Sequence, residues 1–253
     1  MSGKISKRER MERNKEAAEL LRSSLENEAL PWITIDCSFN HIMTEYERTS
    51  LVVQIQESYS HLRRHPKIAR MCVCSIDDEL DAKIKKQGGN EWVIKTTRDR
   101  LEDVGSRRNL IVMSPDAEKE LSSEDLAGKP ELMFVIGGIV DRLVSRNETA
   151  HKAIKLGVEA RRLPVDSDQI KNKVFNIDSV FHFLLLCLEE GRKGLSREVM
   201  TGILSKVLPE RKKKESAPPL STRSVKEKRK REQSDDPSNT VKLDSYRLLE
   251  LFR

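Results

Sequence analysis

The stretch FVIGGIVD at residues 134–141 decides how this sequence folds. It predicts a buried strand over 132–140 that contains two adjacent glycines and delivers a carboxylate, Asp141, at its end. Because glycine weakens a strand, the Gly137–Gly138 pair indicates the close approach of a ligand or of another piece of backbone. A tight turn with a solvent-facing aspartate is the alternative. The glycine spacing matches neither a dinucleotide-binding fingerprint nor a P-loop.

Short apolar strands alternate with helical patterns on both sides of this stretch. Further strands are predicted at 32–36, 70–76, 92–95, 109–114 and 160–165. Helices are predicted at 45–64, 77–86, 118–126, 148–156, 175–190 and 196–208, after a charged helix within 4–30. This alternation predicts an α/β fold with a mostly parallel sheet covered by helices on both faces. Such sheets bind ligands beyond the carboxyl ends of their strands.

Polar or small residues follow several of the predicted strands. Asp36, Asp77, Ser114 and the segment 137–141 stand at four strand ends. Three of these ends carry an aspartate, and converging carboxylates hold divalent ions in metal-dependent nucleases. A nuclease is therefore one alternative, although a metal site does not require the two glycines.

The net charge of +6 lies almost wholly at the carboxyl terminus of the chain. Residues 209–253 carry 13 Lys and Arg against 8 Asp and Glu, and their composition predicts a basic, largely disordered tail. We predict a charged arm at 1–30 and a folded domain at 31–208. The basic runs at 211–214 and 228–231 favour a nucleic-acid partner over a membrane, and they suit a nuclear-import signal or RNA contact. The expected localisation is the nucleus, the cytoplasm or both.

The sequence shows no sign of a membrane or secretory protein. No apolar run is long enough to cross a bilayer, and residues 1–30 have neither an apolar signal core nor the acid-poor composition of a mitochondrial presequence. The four cysteines, Cys37, Cys72, Cys74 and Cys187, stand in apolar surroundings and are expected to be buried, reduced thiols.

Six segments occur in a recognisable order along 31–208. They are IDCSF at 35–39, QI at 54–55 with YSHLRR at 59–64, VMSPD at 112–116, VIGGIVD at 135–141, ARRLPV at 160–165 and KVFNIDSVF at 173–181. In sequence and order they resemble the SPOUT-superfamily methyltransferases that modify N1 of the purine at position nine of tRNA. The resemblance implies a Rossmann-like sheet whose carboxyl-terminal part forms a trefoil knot, which is rare among folds.

The resemblance also implies an activity and its partners. The expected enzyme is a tRNA (guanine-9-N1)-methyltransferase that uses S-adenosyl-L-methionine and binds tRNA as a monomer. By the same resemblance Asp141 is the catalytic residue, either accepting the N1 proton or contacting the target base. No metal ligand is implied.

The remaining site residues follow from the matching motifs. The expected cofactor-binding residues are Met113, Ser114, Gly137, Gly138, Leu163, Pro164, Val174, Phe175 and Ile177. The expected RNA-binding residues are Gln54, Arg63, Arg64, Arg142 and Arg146, with Arg161 and Arg162 as further candidates. Guanidinium groups suit these positions because they bind phosphate in a bidentate manner.

Three positions depart from the family pattern. Leu143 and Asp178 stand where the family has asparagine, and Leu62 precedes the arginine pair in place of asparagine. These departures leave open adenine as the target base. They also leave open an alternative function, a tRNA-binding scaffold subunit that works with protein partners in a tRNA-maturation complex and has little or no methyltransferase activity.

Overall fold

A computed structural model describes residues 6–127, 131–140, 147–165, 175–191 and 195–207. Its centre is a six-stranded sheet in the order β3-β2-β1-β5-β4-β6. The strands are β1 Trp32–Asp36, β2 Arg70–Cys74, β3 Lys95–Thr96, β4 Leu110–Met113, β5 Met133–Gly137 and β6 Glu159–Arg161. Every pairing in the sheet is parallel, which confirms the predicted α/β class.

Eight α-helices belong to the described part of the chain. They are α1 Lys7–Glu26, α2 Glu45–Arg64, α3 Asp78–Lys86, α4 Leu101–Val104, α5 Ser123–Leu126, α6 Glu148–Leu156, α7 Ile177–Gly191 and α8 Arg197–Val207. The bounds of α2 and α6 are those predicted from sequence. Thr44 begins α2 with a capping box, in which its hydroxyl accepts from the Glu47 amide and Glu47 reaches back.

The two faces of the sheet are buried against different helices. Along β5, Phe134 and Ile136 belong to the larger apolar cluster, which also contains residues of α2, α3, α7 and α8. Met133 and Val135 point the other way, into a smaller cluster shared with α4 and α6. This alternation is the period of two that a strand imposes on its side chains.

Two predicted elements are wrong in extent because tertiary contacts displace them. A helix was expected over 118–126, but only α5 is helical. The backbone amide of Leu121 donates to the Arg162 carbonyl at 2.8 Å, and the Arg162 amide donates to Lys119 at 2.8 Å. The segment before α5 is therefore extended beside β6, and the Ser122 hydroxyl then caps α5.

The predicted strand at 92–95 is replaced by aromatic packing. Gly89–Glu91 forms a 3-10 turn, and β3 begins only at Lys95. Trp92 stacks on Tyr59 with ring centroids 5.6 Å apart, and the Val93 amide donates to the Tyr59 hydroxyl at 3.3 Å. Packing of these side chains on α2 takes the place of a backbone ladder.

Three other strands are shorter than expected, and one helix was not foreseen. β5 ends at Gly137, and β6 covers only Glu159–Arg161. β2 stops at Cys74 because the next residue, Ser75, has a left-handed backbone with φ 57°. The short helix α4 was not predicted at all.

The charged helix α1 is anchored to the domain near its carboxyl-terminal end. Leu21 lies in the larger apolar cluster, and the Ser24 hydroxyl donates to the Pro66 carbonyl at 2.5 Å. These contacts join the last turns of the predicted charged arm to the folded domain. The boundaries at residues 30 and 208 stay predictions.

Two smaller expectations can also be compared with the structure. All four cysteines are free and buried, and burial raises the pKa of each thiol. Among the described helices, none combines the length and the apolar character needed to span a membrane. The trefoil knot stays a prediction, because 141–146 and 166–174 lie outside the described residues.

Candidate active site

The carboxyl ends of β1 and β5 meet in one region of the sheet. The Gly138 amide donates to the Asp36 carbonyl at 2.8 Å, which joins the turn after β5 to the end of β1. The Val140 amide reaches the Met43 sulfur at 3.3 Å, so the loop after β1 also contacts the residue before Asp141. This edge is where a parallel sheet places its ligands.

The two glycines are required by close protein contacts. A Cβ at Gly137 would overlap the Thr149 methyl group on α6. A Cβ at Gly138 would lie 2.9 Å from the Asp36 carbonyl oxygen and 3.2 Å from the Cys37 Cα. Sequence reasoning allowed either a ligand or backbone as the close neighbour, and the described residues supply a helix side chain and a backbone segment.

Four of the expected cofactor residues that the structure describes belong to the larger apolar cluster or pack against it. Met113, Leu163 and Ile177 belong to the same cluster, and Phe175 packs against it. Ser114, which follows Met113 in the chain, is buried and accepts a hydrogen bond from the Thr149 hydroxyl at 3.2 Å.

The end of β6 and the start of α7 adjoin this apolar region. Pro164 is buried, and its carbonyl accepts from the Thr201 hydroxyl of α8 at 3.4 Å. Val174 lies outside the described residues, as do Asp141, Arg142 and Arg146. Their expected roles stay predictions.

Gln54 has a different environment from the one expected of an RNA contact. It lies half-buried on α2, and its side-chain oxygen accepts a hydrogen bond from the Ile177 amide at 2.8 Å. That amide is the first of α7, so its donor has no partner within the helix. Gln54 therefore ties α2 to the start of α7, next to the expected cofactor residues.

The arginine pair at the end of α2 divides into one bound and one exposed side chain. Arg63 donates to the Asn14 side chain on α1, and its guanidinium lies 5.9 Å from the Tyr59 ring centroid. Arg64 is exposed, and its guanidinium lies 3.3 Å from the His61 ring nitrogen on the same helix. Arg64 is thus the better placed of the two for a phosphate contact.

The two further arginine candidates are engaged within the protein. Arg161 forms a bidentate pair with Asp125, with N–O distances of 2.9 and 3.0 Å, and the pair lowers the pKa of Asp125 against the opposing effect of burial. Arg162 contacts Glu120 at 3.2 Å, and it also donates to the backbone carbonyl of Ala117 at 3.2 Å. Arg161 therefore connects β6 to α5, and Arg162 connects the residue after β6 to the chain before α5. These contacts argue against a role of either side chain in RNA binding.

An ion pair at this edge was not foreseen from the sequence. The Lys152 ammonium on α6 contacts the carboxylate of Asp36, which is only 1% exposed, and donates to the Ser38 hydroxyl at 2.7 Å. Lys152 stands one turn after Thr149 on the helix. That spacing is the only signal in the sequence that a lysine faces the sheet edge.

Two of the three strand-end aspartates, Asp36 and Asp77, lie in the described part of the chain, and both are engaged by other groups of the protein. Asp36 accepts from Lys152, and Asp77 caps α3 by accepting from the Leu80 amide at 2.8 Å. The other Asp77 oxygen accepts from the Asn40 side-chain amide. Among the described residues no group of three or more His, Cys, Asp or Glu is arranged to hold a metal ion, so nothing there supports the nuclease alternative.

The chain matches the sequence model of one known protein family. The sequence model of the family described as tRNA (guanine(9)-N(1))-methyltransferase TRM10/TRM10A matches residues 2–213. The chain belongs to this family. Among its curated relatives, the tRNA (guanine(9)-N1)-methyltransferase of Kluyveromyces lactis is 28% identical over 137 residues, which cover 53% of this chain and 44% of the relative.

Solved structures of the family share the fold. Full-length spTrm10, solved in complex with SAH, has a TM-score of 0.61 at 24% identity and covers 72% of this chain and 95% of its own. The dual-specific Trm10 from Thermococcus kodakaraensis has a TM-score of 0.55 at 22% identity, covering 70% and 99% respectively. The predicted fold, with its mostly parallel sheet, is thereby confirmed, apart from the knot. The chain spans about half the length of the curated relatives it matches, from 44% to 55%.

Proposed function

We propose that this chain transfers a methyl group from S-adenosyl-L-methionine to N1 of guanine at position nine of tRNA. The observation that carries the proposal is the family match over residues 2–213. The structure supports it in that the turn after Gly137 meets the end of β1, where a parallel sheet places its ligands, and Leu163 and Ile177 are buried in the larger apolar cluster. A methyl transfer depends chiefly on such positioning.

The residues at this edge fit the proposed cofactor. Leu163, Phe175 and Ile177 offer apolar side chains suited to the faces of an adenine ring, and Met113 extends that wall. By the family resemblance, backbone groups of Leu163, Pro164 and residues 174–177 would supply polar contacts to the base and ribose. The cofactor, when bound, would supply a methyl group carried on a sulfonium sulfur, and that sulfur would be the leaving group as the target nitrogen takes the methyl group in line.

Proton transfer is the task left to the protein. Guanine N1 carries a proton that must leave as the new nitrogen–carbon bond forms. We assign its acceptance to the Asp141 carboxylate, whose alternative role is a contact that orients the target base. An unperturbed aspartate is a weak base, so its value lies in being held close to N1.

Methylation of defined tRNA with labelled donor tests the proposal. We expect wild type to methylate a transcript with guanine at position nine, and Asp141→Asn to lose most of that activity. Asp103→Asn on the exposed side of α4 is a matched control that should act as wild type. A transcript with adenine at position nine determines the purine preference.

Donor binding separates the enzyme from the scaffold alternative. Calorimetry with S-adenosyl-L-methionine should show a saturable site in wild type. If tRNA binds but neither donor binding nor methylation is detected, the enzyme proposal is wrong and the scaffold function is favoured.

The oligomeric state and the cellular site are parts of the same proposal. We expect a monomer, which light scattering on a size-exclusion column measures directly. We also expect the basic runs at 211–214 and 228–231 to direct the chain to the nucleus. Loss of nuclear signal in a fluorescent fusion with both runs neutralised tests that expectation.

A further inference from the structure

A buried ion pair lies where α6 meets the loop after β1. The Asp36 carboxylate receives the Lys152 ammonium, the Ser38 amide at 3.2 Å and the Ser38 hydroxyl at 3.3 Å. Lys152 is 20% exposed and also donates to that hydroxyl. Because the Asp36 carboxylate is only 1% exposed, its charge is tolerated only when further hydrogen bonds accompany the ion pair, and here Ser38 provides them.

The first half of α6 has few apolar contacts to hold it. The buried residues of this helix are Ala153 and Leu156, both in its second half. Earlier in the helix, the Thr149 hydroxyl donates to the Ser114 hydroxyl at 3.2 Å, and Lys152 reaches Asp36. Polar contacts therefore set the position of the part of α6 that faces the candidate site.

The same contacts link α6 to the turn after β5. The Asp36 backbone carbonyl accepts from the Gly138 amide at 2.8 Å, while the Asp36 side chain holds Lys152. Asp36 therefore connects Lys152 on α6 to the turn at Gly138. Asp36 is also unavailable as a free carboxylate, because its oxygens are engaged by Lys152 and Ser38.

We propose that Lys152 is a positioning residue for the methyl transfer, acting through Asp36 and Ser38 to hold α6 against the turn at Gly137–Gly138. The inference rests on the proposed function. In this role Lys152 does not itself contact the methyl donor or the target base. Its removal should slow the chemical step while tRNA affinity and the pH profile stay as in wild type.

A double-mutant cycle tests this coupling. The variants are Lys152→Met, Asp36→Asn and the two combined. We expect each single change to lower kcat by about ten- to a hundredfold, since small displacements at an active site have effects of that order. The combined variant should be no slower than the slower single one, because both changes break the same pair.

Two controls distinguish positioning from general destabilisation. Lys152→Arg keeps the cation and should recover most of kcat. Lys155→Met removes an exposed lysine from the same helix and should leave kcat unchanged. All rates are measured at a temperature where circular dichroism shows each variant folded. If Lys152→Met alone does not fold, the combined variant should still fold, because it leaves no unpaired charge.

The outcomes separate this inference from the proposed function. Additive losses in the cycle, or a Lys152→Met enzyme with wild-type kcat, overturn the positioning role while leaving the methyltransferase in place. If wild type binds the donor without methylating, the cycle is measured on donor affinity, and additivity there overturns the role equally. A wild type that neither methylates nor binds the donor overturns both.

Discussion

The two faces of the sheet are held by different kinds of interaction. On one face α7 buries nine residues, most of them large and apolar, against α2 and the strands. On the other face α6 buries two residues and relies on Thr149 and the Lys152–Asp36 pair. Apolar burial is non-directional and supplies stability, whereas hydrogen bonds and ion pairs fix distances. The α7 face therefore stabilises the fold, and the α6 face sets the geometry of the site.

Matched leucine truncations give the largest expected effect and test this contrast directly. Leu185 on α7 is fully buried, and Leu156 stands at the end of α6. We expect Leu185→Ala to lower the free energy of unfolding by about 4 kcal/mol and Leu156→Ala by about 2 kcal/mol, within the range for buried leucines. Urea denaturation measures both. Equal losses would break the proposed division between the faces.

A smaller side chain on α6 should compensate for a larger side chain at Gly137. Gly137→Ala places a methyl group against the Thr149 methyl and should cost about 1–3 kcal/mol through overpacking, with loss of methylation. Thr149→Ser removes the opposing methyl and keeps the hydroxyl. We expect the double variant to recover stability and activity, as followed by thermal unfolding and the methylation assay. Failure of Thr149→Ser to rescue would mean that another contact excludes the Cβ.

The hydrogen bond from the Ile177 amide to the Gln54 side chain tests how α2 positions the start of α7. Gln54→Leu leaves the first amide of α7 without its acceptor and should cost about 1–2 kcal/mol. Gln54→Glu retains an acceptor oxygen and should lose less. Donor affinity by calorimetry should weaken in Gln54→Leu, since α7 starts at the expected cofactor wall. If tRNA affinity fell and donor affinity did not, Gln54 would be an RNA contact, as its motif predicts.

The smallest effect is a pH dependence on the α7 face. His182 stacks on His61 with ring centroids 3.9 Å apart, and His65 pairs with Glu189 at 3.0 Å. Burial, together with these histidines and Arg64, lowers the pKa of His182 from 6.5 to about 4. The unfolded chain takes up a proton below pH 6.5 that the folded state excludes. The stability from His182 is thus complete above pH 6.5 and falls as the pH drops toward 4.

Thermal unfolding across that pH range measures the effect. The Tm of His182→Gln should decline less steeply than that of wild type between pH 6.5 and 4. His151→Gln, an exposed histidine on α6, should retain the wild-type slope. Parallel slopes in all three proteins would show that the stacked histidines do not control the acid response.

Much of the fold was predictable because it depends on local pattern. The apolar alternation of β5 and the spacing of Leu51, Ile55 and Tyr59 on α2 report directly which face of each element is buried. The failures came where a distant partner changed the local preference. The chain before α5 pairs with Arg162, and Trp92 packs on Tyr59.

The candidate site was predictable only in part. Motifs identified Leu163 and Ile177, and the structure brings them into one apolar cluster. The same motifs assigned Gln54 to RNA, although its side-chain oxygen is bonded to an amide 123 residues away in sequence. A motif preserves residue type and order, but it does not report the partner of a side chain.

The sequence by itself determined the alternation of strands and helices, the buried faces, the two glycines and the family. These follow from periodicity and residue type, which are local properties of the chain. Only the tertiary structure decided that Gly137 is required by Thr149, and that Asp36 pairs with a lysine 116 residues away. Such partners depend on how parallel crossovers bring distant segments to one edge of the sheet, and no local pattern encodes that meeting.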